Sequence, residues 1–596
     1  MNLYCKYCFD MRWTMNNLFK LNSFLDNGMR LDATQDGCLY RITLTNCTDC
    51  EQEIGDITIF TADMIFSPDT RFYGEGFNML SQYGGTIKDF KLIGSFSDYT
   101  HYKLYKPEGC NQVYNMLILY PEGQKPLLIG FASCFRFNGW IRFNEEYIKI
   151  ALNGENKKVK AGETVRLEDV YIEQGDIDTI IDNFASAIGK NHPKREFEKI
   201  PTGWCSWLVY GPNITAKNIY DNLDAIKENG LDLEYIQIDD GYQAHWGDWF
   251  EFTDKFENGV KSVCLDIKEK GFEPAIWVAP FVAEKDSKVF KSHPDWFVKD
   301  DMGAPLSSGD VSFGGWRCAP WYILDTTHPE ALNYIKNVFH TMRYEWQIKY
   351  FKLDAIIWET LPFGHRYDDT KTSVEAFRLG MDAIYEASGK DSFILGGNSP
   401  MWPSIGEVHG MRVTNDNCRV WYQFKQLARE CFPRNWQHNR FWINDPDTVL
   451  LQNEKIKVVG PDGKEIYTLG SISKEEFAFN AAYTVASGGM VLSGDDVSNL
   501  TKENIELLRR LLPPSKVAAS FEYENYTVGR ARVNENKEYV YIFNFEDECK
   551  DICVPLDGKT EVYDLIDDVE LGTFEGEITF PSFKAHNAKV LACTKK

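Results

Sequence analysis

The first third of the chain alternates between apolar and polar positions. Leu39–Leu44, Ile57–Phe60 and Tyr147–Ala151 each follow a two-residue period. Successive strand side chains point to opposite faces, so this period predicts half-buried β-strands. Asn27-Gly28 and Asn153-Gly154 punctuate the runs as turns. Many short strands separated by turns predict a β-sandwich. Asp176–Ala187 has helical spacing, and the polar stretch 189–200, which contains Pro193, reads as a linker.

From Pro201 the rhythm changes to strand, loop and helix, repeated. The predicted strands are Thr202–Trp207 with its exit, Tyr235–Ile238, Pro274–Val278, Tyr350–Leu353, Ser392–Leu395, Gly410–Thr414, Phe441–Ile443 and Met490–Leu492. Thr215 caps a helix that runs to about Asn229, where Gly230 stops it, and a second helix ends near Lys270. Such a series fits a (β/α)8 barrel with insertions. After Pro513-Pro514 the pattern is β again, clearest at Tyr539–Phe543. The fold expected is therefore multidomain. A central (β/α)8 TIM barrel at 196–512 is flanked by an N-terminal β-sandwich at 1–195 and a small C-terminal β-sandwich at 513–596.

The predicted barrel strands end in acids: Asp239 and Asp240, Asp354, Asp416, Asp445 and Asp447, Asp495 and Asp496. In this fold the C-terminal strand ends face one mouth, where the chemistry is placed. Tyr350-Phe351-Lys352-Leu353-Asp354 is the central example. Lys352 shares a strand side with Asp354, and a neighbouring cation favours an ionised carboxylate. That environment suits a nucleophile, although a lone Lys-x-Asp also reads as a structural ion pair. Paired carboxylates serve glycoside hydrolysis, one attacking or holding water and the other protonating the leaving oxygen. Asp416, in the loop after an apolar strand, fits the second role. Arg412, four residues earlier, either binds a substrate hydroxyl or pairs with an acid. Asp239 and Asp240 suit adjacent sugar hydroxyls, because carboxylates accept several strong hydrogen bonds.

A metal is the other use for such acids. Only His245 and His409 lie near the strand ends, and no H-x-H or H-E-x-x-H spacing occurs. The Cys5/Cys8 and Cys47/Cys50 pairs have zinc-site spacing but lack zinc-ribbon glycines, so incidental cysteines are the better reading. The fifteen cysteines are scattered and odd in number, which fits free thiols in a reducing compartment. A net charge of −24 without a basic run argues against nucleic acid and anionic membrane as partners. No apolar run reaches the roughly 20 residues of a membrane span. Met1–Leu25 lacks a basic start followed by an apolar block, so no signal peptide is expected and the location expected is cytoplasmic. The aromatic supply, with 16 Trp and 30 Tyr, allows platforms for sugar rings as well as a large core.

Six motifs then occur in series: Gly203-Trp204-Cys205-Ser206-Trp207, Gln237-Ile238-Asp239-Asp240-Gly241-Tyr242, Ile276-Trp277-Val278-Ala279-Pro280-Phe281, Phe351-Lys352-Leu353-Asp354, Met411-Arg412-Val413-Thr414-Asn415-Asp416 and Trp442-Ile443-Asn444-Asp445-Pro446-Asp447. Their order across the barrel resembles glycoside hydrolase family 36, the α-galactosidase family. The resemblance implies the same flanking sandwiches and a retaining mechanism with Asp354 as nucleophile and Asp416 as acid/base. It implies that Asp239, Asp240, Lys352 and Arg412 hold galactose hydroxyls and that Trp277 forms part of the sugar pocket. It implies no cofactor. The glycine-flanked loop Gly74–Leu80 looks like one that carries Trp in relatives and reaches over the barrel mouth; here the residue is Phe77.

One departure bears on the substrate. Similar α-galactosidases carry Cys-Gly where this chain has Gly397-Asn398, and that Cys lies near the sugar's 2-hydroxyl. Gly397 removes the side chain and opens space for a 2-acetamido group, so α-N-acetylgalactosaminidase activity is expected. Drift in a loop whose role another residue has taken over is the competing explanation. The alternatives are a plain α-galactosidase on raffinose-type oligosaccharides, a raffinose-synthase-like transglycosylase and a non-catalytic carbohydrate-binding protein. Terminal α-galactosyl or α-N-acetylgalactosaminyl glycans are the partners expected, with a homo-oligomer possible.

Overall fold

The structure, a computed structural model, describes residues 18–452, 456–459, 465–469 and 472–596. Cys5 and Cys8 fall outside the described residues. Cys47 and Cys50 are exposed free thiols, and no His/Cys/Asp/Glu group among the described residues could hold a metal ion.

The N-terminal region forms antiparallel sheets of five and nine strands. Met29–Asp36 pairs with Leu39–Asn46, and their inward residues Met29, Leu31, Ile42 and Leu44 are buried, as the alternation requires. Asn153-Gly154 is a departure from expectation. These residues lie inside the 13-residue strand Tyr147–Val159, where the pairing with Gln52–Asp63 shifts register between Asn153 and Lys157. Glu155 and Asn156 take positive φ there, which makes a bulge and not a turn. A Cβ on Gly154 would lie 2.2 Å from the Ile54 carbonyl oxygen, so glycine serves close approach between the strands. The helix expected to end near Ala187 runs Ile177–Asn191, capped by Asp176, and takes in the first residues of the expected linker.

Eight parallel strands then form the barrel: β1 (Thr202–Cys205), β2 (Tyr235–Ile238), β3 (Glu273–Val278), β4 (Tyr350–Leu353), β5 (Phe393–Gly396), β6 (Gly410–Arg412), β7 (Ile443–Asp445) and β8 (Val491–Ser493). Neighbours pair in sequence from β1 to β7, and β8 pairs with β1. Met490 N donates to Asn444 O at 2.9 Å and Val449 N to Leu492 O at 2.8 Å, which nearly closes the ring between β7 and β8. The helix after β1, Ala216–Glu228, carries a full capping box from Thr215 and Asn218 and ends before Gly230 at φ 57°.

The strand period also sorts the barrel interior by height. Tyr235, Ala275, Tyr350, Phe393, Ile443 and Leu492 form an apolar floor, against which Phe197 and Ile200 pack. Two residues further along each strand come Gln237, Trp277, Lys352 and Asp445, and two further Asp239, Asp354 and Asp447. Burial below and water above thus fix which end carries the polar groups.

Between β3 and β4 an insertion adds the hairpin Val282–Glu284/Trp321–Ile323. The C-terminal region hydrogen-bonds as one six-stranded antiparallel sheet. Its two 15-residue strands, Lys550–Asp564 and Val569–Phe583, shift register at bulges. Their buried residues Val554 and Ile578 share a core with Val540, Ile542 and Leu591. The opposite side chains, Tyr541 and Phe543, join the main core.

Candidate active site

Asp354 follows β4 at the barrel mouth. Trp277 Nε1 donates to its Oδ2 at 2.9 Å, Asn398 Nδ2 to its Oδ1 at 2.8 Å, and the Ala355 N–H to Oδ1 at 2.7 Å. Ala355 is left-handed at φ 53°, so the chain turns sharply just after Asp354. Burial pushes the Asp354 pKa above its ordinary value. Lys352, Asn398 and Trp277 oppose that rise, and the charge of Asp416 adds to it.

Lys352 favours the ionised Asp354, as its place on the same strand side predicts, but its direct partner is another acid. Its Nζ pairs with Asp239 Oδ2 at 2.9 Å, not with Asp354. Asp354 lies beyond the strand end, so its carboxylate turns toward Trp277 and Asn398 while Lys352 stays within the barrel. Burial is the largest influence and works against the ammonium, but Asp239, Cys205 and Asp354 together outweigh it, so the Lys352 pKa is raised and the group stays charged. Asp239 Oδ2 also accepts Gln237 Nε2 at 2.8 Å, and Oδ1 accepts the Asp240 N–H at 2.9 Å.

Asp240 is held by a residue the sequence gave no sign of. Arg317, on the insertion between β3 and β4, donates Nε to Asp240 Oδ2 at 2.8 Å and Nη2 to Oδ1. Trp246 Nε1 and Gln243 Nε2 also donate to Oδ1. The fork matches the carboxylate, and Asp240 is 1% exposed.

Across the mouth, Arg412 Nη2 lies 2.9 Å from Asp416 Oδ1 and 2.7 Å from Asp447 Oδ2. Asp416 is the open end of this array, its side chain 58% exposed. Burial drives Asp447 up to about 6, against the pull of Arg412. The backbone beside Asp416 is anchored from below, where the buried Glu430 accepts the Asn415 N–H at 2.8 Å.

Two expected contacts, those of Trp277 and Phe77, take a different form. Trp277 is 1% exposed and reaches the site through its N–H, with its ring 5.0 Å from that of Trp246. Asn398 points a side-chain N–H at Asp354. The Phe77 loop does reach the barrel, through backbone bonds: Met401 N donates to Phe77 O and Met79 N to Ser399 O, each at 3.0 Å. The Phe77 ring, 2% exposed, packs edge-on against Tyr114. Asp98 sets this arrangement by accepting the Phe77 N–H and bonds from Asn78, Ser81 and Tyr83. The N-terminal residue near Asp354 is instead Tyr102, fully buried with its hydroxyl unpartnered. Burial raises its pKa well above the ordinary value, with Asp98 and Asp354 adding to the shift. Gly397 lies beside the carboxylate: a Cβ there would stand 3.8 Å from Asp354 Oδ1 and 3.1 Å from the Leu353 carbonyl oxygen.

The chain is similar to several known proteins in sequence and in fold. Residues 178–391 match the family model Melibiase. An α-galactosidase of Escherichia coli is 31% identical over 131 residues, 21% of this chain and 17% of that one. An A type blood α-D-galactosamine galactosaminidase of Flavonifractor plautii is 26% identical over 258 residues, 40% of this chain and 23% of that one. The matched stretches thus span about a fifth of these curated relatives. Among solved structures, the GH36 α-galactosidase AgaA of Geobacillus stearothermophilus has a TM-score of 0.66 at 12% identity. That match covers 95% of this chain and 81% of AgaA, and it speaks to the fold.

Proposed function

Since this chain belongs to the melibiase group of glycoside hydrolases, we propose that it is a retaining exo-glycosidase acting on terminal non-reducing α-galactose-type residues. The observation that carries the reading is the Asp354 carboxylate, fixed by Trp277, Asn398 and the Ala355 N–H and electrostatically coupled to Asp416. The three donors hold the oxygens in one orientation for attack on an anomeric carbon. Asp416, open to solvent, delivers a proton to the leaving oxygen. It then takes one from the water that hydrolyses the glycosyl-enzyme ester. Asp239 and Lys352 offer a carboxylate and an ammonium to sugar hydroxyls, and Arg412 keeps the Asp416 loop in register.

The finer reading is that terminal α-N-acetylgalactosamine is accepted. Gly397 supports it, because a side chain there would stand against Asp354, where the sugar binds. The Flavonifractor galactosaminidase is a relative whose named activity is of this kind. A panel of aryl α-galactoside, α-N-acetylgalactosaminide and α-glucoside, with product anomers followed by NMR, tests both readings. Turnover of neither of the first two overturns the proposal, and so does an inverted first product.

A further inference from the structure

A line of aromatic rings leads from the nucleophile to the surface. Trp277, bonded to Asp354, lies 5.0 Å from Trp246. Trp246 stacks on Trp321 at 4.4 Å and meets Trp316 edge-on at 5.6 Å. Trp316 also meets Trp358, in the turn Ile356–Thr360 directly after Asp354, at 6.1 Å. Trp358 meets Phe313 at 5.9 Å, and Phe313 stacks on His101 at 3.8 Å. His101 in turn stacks on Phe96 at 4.4 Å. The inner rings are buried, whereas the last members break the surface: Trp316 is 38% exposed, Phe313 42% and Phe96 39%.

This ridge is built, not accidental. It joins two regions of the chain, Phe96 and His101 from the N-terminal region and Phe313 and Trp316 from the barrel insertion. The Phe313 N–H donates to the His101 carbonyl at 2.7 Å, and Lys103 Nζ donates to the Gly309 carbonyl at 2.6 Å. Burial between its two ring neighbours lowers the His101 pKa to about 4, so it is a neutral ring near neutral pH. Trp316 precedes Arg317, which grips Asp240, so the ridge begins at the wall of the sugar pocket. Beside its inner end stands the unpartnered hydroxyl of Tyr102, 5.4 Å ring to ring from Trp358.

We propose that Trp316, Phe313 and the Phe96–His101 stack form an outer subsite that binds the second sugar ring of an oligosaccharide, the ring next to the residue cleaved. A pyranose presents C–H groups on its face, and an exposed aromatic wall continuous with the pocket is the surface such a face packs on. The inference rests on the glycosidase reading above, and its test separates the two.

The probes are α-galactosyl fluoride, whose leaving group has no ring, and α-galactosyl disaccharides linked 1→3, 1→4 and 1→6, or the 2-acetamido counterparts if wild type turns over only those. The Phe313→Ala/Trp316→Ala double variant should lower kcat/KM for the best disaccharide several-fold relative to the fluoride. Phe96→Ala, at the outer end, should act in the same direction and more weakly. A disaccharide-to-fluoride ratio equal to wild type in both variants overturns the subsite. No wild-type turnover of the fluoride overturns the catalytic reading instead. Calorimetric binding then decides the subsite alone: disaccharide affinity no greater than monosaccharide affinity overturns it.

Discussion

Asn398 donates its side-chain N–H to Asp354 Oδ1 at 2.8 Å, although 44 residues separate the two. Asn398 sits at φ 39°, a left-handed conformation that Asn tolerates and that fits the sharp exit from β5. The bond favours the ionised carboxylate, the form a nucleophile needs. Asn398→Ala removes it. Hydrogen bonds to charged groups are worth about 1.5–3 kcal/mol, so kcat should fall roughly 10–100-fold. The pH dependence has a definite sign. Burial already raises the Asp354 pKa, and loss of a donor to the charged form raises it further. Activity is lost as pH falls through that value, so the acid limb of the kcat/KM profile should move to higher pH. An acid limb in its wild-type position would show that Asn398 does not tune Asp354.

Asp354→Ala should abolish turnover and leave the fold intact. Added azide should restore activity on an activated aryl glycoside by filling the vacated space, giving a glycosyl azide of inverted configuration. Near-normal hydrolysis by the variant without azide would remove Asp354 from the mechanism.

The general acid matters most when the departing oxygen is basic. Asp416→Ala should therefore damage alkyl and sugar leaving groups on the order of 10²–10⁴-fold, and dinitrophenyl glycosides far less. The measurement is kcat/KM against leaving-group pKa, which should become steeper in the variant. A parallel loss across the series points to binding, through the 2.9 Å pair with Arg412.

Much of this site could be read from the sequence, and the boundary has a physical cause. Acids after β2, β4, β6 and β7 were legible because a period-2 apolar run followed by Asp is a local pattern. The Thr215 cap and the Gly230 stop are local too. Arg317 on Asp240, Tyr102 near Asp354 and the burial of Phe77 depend on chain segments that meet only in the folded state. Arg317 and Asp240 lie 77 residues apart. Gly154 misleads for a related reason: Asn-Gly is a strong turn signal, yet the glycine is there because the opposing strand passes 2.2 Å from where a Cβ would sit. Lys352 shows the limit within one strand. Its side was predictable, but Asp239, two strands away in the ring, decides what it pairs with.

Arg434 ties the N-terminal region to the barrel. Its Nη2 lies 2.7 Å from Glu75 Oε2 with both side chains fully buried, and Nη1 donates to the Met79 and Val413 carbonyls. Val413 follows Arg412, so this clamp also steadies the Asp416 loop. Arg434→Met leaves the Glu75 carboxyl buried without its cation, a loss of about 3–5 kcal/mol. The thermal midpoint should drop, and Glu75→Gln added to Arg434→Met should recover part of it. An unchanged midpoint in Arg434→Met would show that the pair is not holding the regions together.

Substrate choice at the 2-position should depend on Gly397. A Cβ there meets the Leu353 carbonyl oxygen at 3.1 Å, tighter than most real contacts, so any side chain strains the β4–β5 junction. The same Cβ lies 3.8 Å from Asp354 Oδ1, so the strain reaches the nucleophile. Absolute rates therefore fall in every variant and cannot be read as specificity. Two variants separate the effects. Gly397→Ala adds the Cβ and its strain, and Gly397→Cys adds the same strain plus a sulfur directed into the pocket. If the glycine makes room for an acetamido group, the ratio of kcat/KM for the N-acetylgalactosaminide over the galactoside drops modestly in Ala. It drops further in Cys, within the roughly 10–200-fold that bulk alone provides. If the two variants lower both substrates equally, the loop acts on Asp354 and not on the 2-substituent, and another residue selects between the sugars.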